Sequence, residues 1–251
     1  MTDLTGQIAL VTGASSGLGY RFATILADRG ATVIAAARRT DRLDTLVGEI
    51  AETGGQATAL AFDATDPAAP VRMMDEASDA VGFPTLLINN AGVNRPGRAH
   101  EGSGADFDET MTVNLRTPWR LSQICAQHWI AQKSGGTIVN IASILSERVG
   151  AGMSLYAMSK AALRHMTASH ALEWARHGIR VNALCPGYVR TEINDSFWET
   201  PLGQEQLARM PRRRVGAPAD LDSALLFLVS PASGFINGTA LTVDDAQSWG
   251  L

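Results

Sequence analysis

This chain of 251 residues has two cysteines, and that scarcity excludes a good deal. Cys125 and Cys185 lie far apart and outside any metal-ligand spacing, so neither a disulfide framework nor a cysteine-built zinc site is expected. Both read as reduced core thiols. Long apolar runs are missing too: the longest, "ALLFLV" at 224–229, is far too short to cross a bilayer. Positive charge is not in excess, and the formal net charge of −4 gives no whole-molecule attraction to nucleic acid or anionic lipid. Neither partner is expected. His100, His128, His165, His170 and His177 show no H-E-x-x-H or carboxylate-paired spacing, so no catalytic metal is expected and helical packing or surface positions account for them. "MTDLTGQIAL" carries no secretory pattern, and the expected location is the cytoplasm.

What is present is alternation. Short β-branched or apolar runs at 8–12, 31–37, 57–62, 85–89, 136–143, 179–185 and 239–243 predict strands. Longer amphipathic stretches near 17–29, 41–53, 68–81, 106–132, 154–177 and 218–229 predict helices between them. Strands alternating with helices require a parallel sheet covered on both faces, here a doubly wound α/β sheet of about seven strands. No linker, repeat or low-complexity tract divides the chain, so 1–251 is expected to be a single Rossmann-type domain. The segment 187–217 has no such periodicity and follows a strand, which predicts a lid or binding loop.

The first predicted strand runs into "TGASSGLG", residues 12–19, and then into a helical stretch. Gly13, Gly17 and Gly19 allow a tight turn and a close approach to the backbone, and the free amides at the helix start would face a pyrophosphate. Where an acidic residue would hold the ribose 2′-hydroxyl of NAD, the second strand ends instead in Arg38 and Arg39. A guanidinium there suits a 2′-phosphate, with Arg38 the better placed of the two, so NADP(H) is favoured over NAD(H). The alternative is a pair of solvated charges at a strand end.

Residues 154–163 read "SLYAMSKAAL". Tyr156 and Lys160 stand one helical turn apart and share a face. A phenol titrates near ~10, too high for useful proton exchange at neutral pH. An ammonium about 5 Å away at an effective dielectric of ~20 contributes about 3 kcal/mol toward the phenolate. Burial opposes it. With the positive charge of an oxidised nicotinamide added, the phenol is expected near ~8, where it can serve as general acid or base. Ser143, at the C-terminal end of a predicted strand, falls on the sheet edge where ligands bind and can donate to a substrate oxygen. Singly these three read as a packing aromatic, a snorkelling lysine and a helix cap; together beside a glycine turn they read as a site.

These residues resemble the short-chain dehydrogenase/reductase family over essentially the whole chain. "TGASSGLG" is similar to its cofactor loop, "LLINNAG" at 86–92 to its signature after the fourth strand, "YAMSK" to its Y-x-x-x-K pair and "CPGYVRT" at 185–191 to its post-strand cofactor turn. The resemblance implies Tyr156 as general acid/base, Lys160 as the residue that lowers its pKa and bonds the nicotinamide ribose, and Ser143 as the group that orients the carbonyl. It implies that Asn114 holds a water relaying protons to Lys160, that Asp63 meets the adenine, that Asn90 lies along the adenosine and that Thr191 bonds the carboxamide. Cofactor contact is implied along the matching motifs at Gly13, Ser15, Ser16, Gly17, Leu18, Gly19, Arg38, Asp63, Ala64, Asn90, Ala91, Gly92, Pro186, Gly187, Val189 and Thr191. Family members usually form tetramers, and small residues along 157–171 suit close helix contact, so a homotetramer or homodimer is expected. "VDDAQSW" at 243–249 departs from the family's acidic residue followed by two glycines, leaving Asp245 and Ala246 in an unusual turn.

The expected activity is therefore NADP(H)-dependent hydride transfer between the nicotinamide and a ketone, aldehyde or secondary alcohol, within the family most like a 3-oxoacyl-thioester reductase. NAD-linked oxidation of a hydroxy compound or sugar is the alternative, and a non-catalytic dinucleotide sensor a remote one. Arg212, Arg213 and Arg214 could meet an anionic substrate or form a solvated cluster, and Phe197 and Trp198 could line a pocket or pack within the lid.

Overall fold

In a computed structural model that describes residues 2–192 and 194–250, all seven predicted strands form within two residues of their expected ends. They are β1 (Ile8–Thr12), β2 (Thr32–Ala37), β3 (Gln56–Ala61), β4 (Leu86–Asn89), β5 (Gly136–Ile141), β6 (Ile179–Pro186) and β7 (Ala240–Val243). One parallel sheet in the order β3-β2-β1-β4-β5-β6-β7 results. The order reverses between β1 and β4, where Ala9 pairs with Leu86 on one side and Val33 on the other. Their diverging connections leave a crevice at the C-terminal ends of these strands.

Helices cover both faces: α1 (Gly17–Ala27), α2 (Thr40–Glu52) and α9 (Asp222–Val229) on one, α3 (Ala69–Val81), α5 (Thr117–Gln132) and α6 (Ser154–Trp174) on the other. Because the sheet is sandwiched, β4 is buried at every position, which is why "LLIN" shows no apolar–polar alternation. Phe22, Leu26, Leu46 and Leu225 fill the first layer; Met73, Leu121, Trp129 and Ile138 fill the second. Trp129 lies so close to β5 that a Cβ at Gly136 would sit 2.4 Å from its ring, and its indole N–H is satisfied by Pro84 O at 2.8 Å.

Two helical expectations are corrected. The stretch 106–132 is not one helix: α4 (Gly104–Met111) passes into a π-helical turn, Thr112–Arg116, before α5. Pro118 has no N–H for the carbonyl of Asn114 and its ring crowds that carbonyl, so the chain widens there. The segment 187–217 is also more ordered than its aperiodic sequence suggests. It holds α7 (Asp195–Trp198) and α8 (Pro201–Arg209). Its two ends are stapled by a bridge between Val189 and Gly216, with Arg190 N donating to Gly216 O at 2.8 Å and Gly216 N to Tyr188 O at 2.9 Å. Trp198 is buried beneath it, edge-on to both Tyr188 and Phe197, so it packs within the segment.

Candidate active site

Thr12, the last residue of β1, ties the two strands at the crevice together: its Oγ1 accepts from Asn90 N and Ala91 N, each at 3.0 Å. Asn90 returns the bond, donating Nδ2 to Thr12 O at 2.9 Å. The turn that follows needs its glycines. Gly13 and Gly17 are left-handed, at φ 69° and 56°, and a Cβ at Gly19 would lie 2.2 Å from Gly13 O. Leu18 turns inward to the core. Ser16 begins α1 in extended conformation without a side-chain cap, so the first-turn amides are left for an outside acceptor. This arrangement fits a dinucleotide: a narrow glycine turn, an uncapped helix start and a crevice at the point of strand reversal.

At the far end of that groove it is Arg39, next to Arg38, that bonds the glycine turn. Arg39 Nε donates to Ser15 Oγ at 3.2 Å, and its Nη2 to Ser15 Oγ at 3.1 Å and Ser16 Oγ at 2.6 Å. Arg38 is exposed and forms no side-chain bond among the described residues. Successive side chains leaving an extended strand point to opposite sides, and the one facing the glycine turn is Arg39. One turn along α2, Arg42 pairs with Glu192 at 2.5 Å. Asp63 and Ala64, just past β3, sit on the same sheet edge, Asp63 accepting from Thr65 N at 3.0 Å and Ala64 O from Thr117 Oγ1 at 2.8 Å. Thr191 closes over the turn, within 3.2 Å of where a Gly17 Cβ would be. Gly187, beyond Pro186, leaves little room for a side chain, since a Cβ would lie 2.9 Å from Asp244 Cα and 2.4 Å from Gln247 Oε1.

The three residues read as catalytic meet at the same edge. Ser143 follows β5 in extended conformation and does act as a cap, its Oγ accepting from Leu145 N at 3.1 Å. A hydroxyl that accepts a cap bond still has its proton to give. It is within bonding reach of the Tyr156 phenol, which its hydrogen bond pulls toward a lower pKa. Lys160 is 4 % exposed; its Nζ donates to Ile141 O at 2.7 Å and lies 5.6 Å from the centre of the Tyr156 ring. The expected electrostatics are corrected in part. Burial is the largest influence on the phenol and raises it above its ordinary 10, and burial also lowers Lys160 from 10.5 to about 8. A lysine that gives up its proton near 8 is neutral by the pH at which a phenol raised above 10 ionises, so in the protein alone it does not bring the phenol toward neutrality.

Asn114 stands in the π-helical turn, fully buried. Its Oδ1 accepts from Val93 N at 2.8 Å, and its Nδ2 donates to Val93 O and Ser159 Oγ, both at 2.9 Å. Ser159 donates in turn to the Tyr156 carbonyl at 2.8 Å. Asn114 thus ties the loop after β4 to the helix that carries the phenol, and one lone pair of Oδ1 remains for a further donor. A Cβ at Gly92 would touch Asn114 Oδ1 at 3.4 Å and Lys160 Nζ at 3.5 Å, so both polar groups border the same glycine.

Ser159, Arg42 and Glu192 carry no motif that sequence alone would single out, and Cys185 is the buried free thiol expected. Cys185, next to last in β6, lies beside this cluster, 3 % exposed, its thiol pushed up to about 11 by burial, and it borders Lys160 and Tyr156 as a neutral group. The other features resolve as structure. His170 stacks on Trp174 and His128 on Phe83, and no group of three metal-binding side chains exists among the described residues. Arg212 and Arg214 reach the carboxylate of Asp245 at 3.1 and 2.7 Å. No described helix is long and apolar enough to cross a membrane.

Known proteins resemble this chain along nearly its whole length. Residues 13–245 match a family model described as enoyl-(acyl carrier protein) reductase. Gluconate 5-dehydrogenase of Gluconobacter oxydans (strain 621H) is 36 % identical over 243 residues, 96 % of this chain and 94 % of that protein. The 7alpha-hydroxysteroid dehydrogenase of Escherichia coli (strain K12) is 35 % identical over 240 residues, 96 % of this chain and 93 % of that protein. The crystal structure of a gluconate 5-dehydrogenase from Burkholderia cenocepacia J2315, in complex with NADP and tartrate, superimposes with a TM-score of 0.93 at 34 % identity, covering 99 % of this chain and 98 % of that one. With strand order, glycine turn and full-length relatives all in agreement, this chain belongs to the short-chain dehydrogenase/reductase family, enzymes that act between hydroxyl and keto groups.

Proposed function

We propose that this chain is an NADP(H)-dependent oxidoreductase that interconverts a ketone and a secondary alcohol on a small hydroxylated acid. The observation that carries it is the meeting of Ser143, Tyr156 and Lys160 at the strand edge beside the glycine turn. When bound, the cofactor supplies the hydride that adds to the carbonyl carbon. Ser143 donates to the carbonyl oxygen and holds it against Tyr156 Oη, which gives that oxygen its proton as the C–O bond becomes single. Burial keeps the phenol protonated, with its proton in place for a developing alkoxide, which is a far stronger base; a positive charge arriving at the site lowers the phenol and favours the reverse step, proton removal from an alcohol. Lys160 steers that charge balance from behind the ring, and Asn114 and Ser159 fix the helix start that carries it. Thr191, Gly187 and Pro186 belong to the turn that would hold the nicotinamide end.

NADP(H) is supported by Arg39 and Arg42 at the end of the groove, with no carboxylate of the β2–α2 junction turned onto the glycine-loop serines, and by the NADP in the Burkholderia structure. The acid class is supported by the gluconate enzymes among the relatives. A second reading, an acyl-thioester substrate, is supported by the description of the matching family model. Exposed Leu172, Phe235, Phe107 and Trp119 support association into a homo-oligomer, a tetramer or a dimer. The deciding experiment is a panel of keto and hydroxy acids, sugars, neutral ketones and acyl thioesters, each run with NADPH/NADP and NADH/NAD. Turnover highest with a hydroxylated acid and NADP(H) is expected. Preference for a thioester, or equal rates with NADH, would overturn the substrate or the cofactor part respectively.

A further inference from the structure

Glu192 has no part in the reaction described above, yet it sits across the groove that leads to it. It follows Thr191 at the start of the stapled segment, and its side chain is 57 % exposed. Its Oε2 is 2.5 Å from Arg42 Nη1 and 3.9 Å from Arg39 Nη1. Arg39 is itself fixed by its bonds to Ser15 and Ser16. One carboxylate therefore joins three elements: the glycine turn, the β2–α2 junction and the lid. Beside it, Thr191 rests against Gly17.

A carboxylate and a phosphate monoester are both bound by forked guanidinium donors, so they compete for the same cations. We propose that Glu192 is a resident competitor for the 2′-phosphate: it holds the lid down on Arg39 and Arg42 and is displaced when a phosphorylated ribose takes those arginines. The inference rests on the NADP(H) reading. A neutral 2′-hydroxyl has no charge with which to displace a carboxylate from two cations, so NAD(H) and its fragments bind with these pairs intact. A phosphate, with nearly two negative charges at neutral pH, both outbids Glu192 and repels it. Lid release at this end is thereby coupled to the group that distinguishes the two cofactors.

The test uses the whole chain and the isosteric Glu192→Gln variant, titrated calorimetrically at fixed ionic strength with NADPH, NADH, adenosine 2′-monophosphate and adenosine 5′-monophosphate. Exposed ion pairs of this kind predict that NADPH and the 2′-monophosphate bind the variant about two- to five-fold more tightly. NADH and the 5′-monophosphate are expected to be unchanged. Glu192→Asp, which keeps the charge, is expected to stay close to wild type. The proposal is overturned if the 2′-monophosphate binds neither protein, if it binds E192Q no more tightly than wild type, or if all four ligands tighten alike, which would make Glu192 a general strut. Wild-type affinity for NADH equal to that for NADPH would instead defeat the cofactor reading, and the 2′-monophosphate comparison would still decide the role of Glu192.

Discussion

Replacing Lys160 by methionine removes a buried charge while keeping most of the side chain's length, and the effect on stability can be worked through. Burial lowers this amine from 10.5 to about 8 in the folded protein. In the unfolded chain it returns to about 10.4. Between those values the unfolded state binds more protons than the folded one, so wild-type stability rises with pH across that interval. Below it both states are protonated and the whole penalty applies. A shift of that size corresponds to about 3 kcal/mol, at 1.36 kcal/mol per pKa unit. The methionine variant carries no such term. It does lose the bond to Ile141 O, which leaves a buried carbonyl unpaired at about 1–3 kcal/mol. That loss does not depend on pH. Cys185, pushed up to about 11 by burial, is present in both proteins and drops out of the difference. Urea unfolding at pH 7, 8, 9 and 10 should therefore show the variant's stability relative to wild type declining by roughly 2–3 kcal/mol as pH rises. A difference constant to within about 0.5 kcal/mol would refute the claim that Lys160 is held desolvated.

Arg180 donates to the carbonyls of Leu228, Ser230, Ser233 and Ile236 and to Thr137 Oγ1, closing the C-terminal end of α9. Arg180→Met should lower unfolding free energy by about 3 kcal/mol, read by urea titration, and a loss below about 1 kcal/mol would contradict this reading. Ala246 adopts a left-handed φ of 64°, so Ala246→Gly should stabilise by about 1 kcal/mol and raise the melting temperature by a few degrees; a drop in melting temperature would contradict it. Gly19→Ala drives a Cβ against Gly13 O and should weaken NADPH binding at least about ten-fold by fluorescence titration, whereas an unchanged affinity would show that the turn yields freely.

Much of this was legible in the sequence because a doubly wound sheet writes its strands as unbroken apolar runs. "IALVT" and "LLIN" gave their own ends, and glycine spacing marked the turn between them. The break at Thr112–Arg116 was hidden because the apolar period continues through it, and only the missing N–H of Pro118 betrays it. Helix α8 did announce itself: Thr200 caps Gly203 N at 3.1 Å and Pro201 stands at its first position, a start signal overlooked in an aperiodic segment. Which of Arg38 and Arg39 bonds the glycine turn was beyond reach, since one residue of register at the exit of β2 decides it. In the protein alone burial raises the phenol, whereas the expected value near ~8 included the positive charge of an oxidised nicotinamide. A Coulomb estimate at fixed distance needs to know how far burial disarms the lysine, and sequence does not reveal that.

The central claim is that the Tyr156 hydroxyl moves the proton that accompanies hydride transfer. Single-turnover oxidation of bound NADPH by the best carbonyl substrate, compared between wild type and Tyr156→Phe, tests it most directly. The account predicts NADPH affinity within about two-fold of wild type and a transfer rate lower by about 10²-fold or more. Transfer within about ten-fold of wild type at full NADPH occupancy would contradict it.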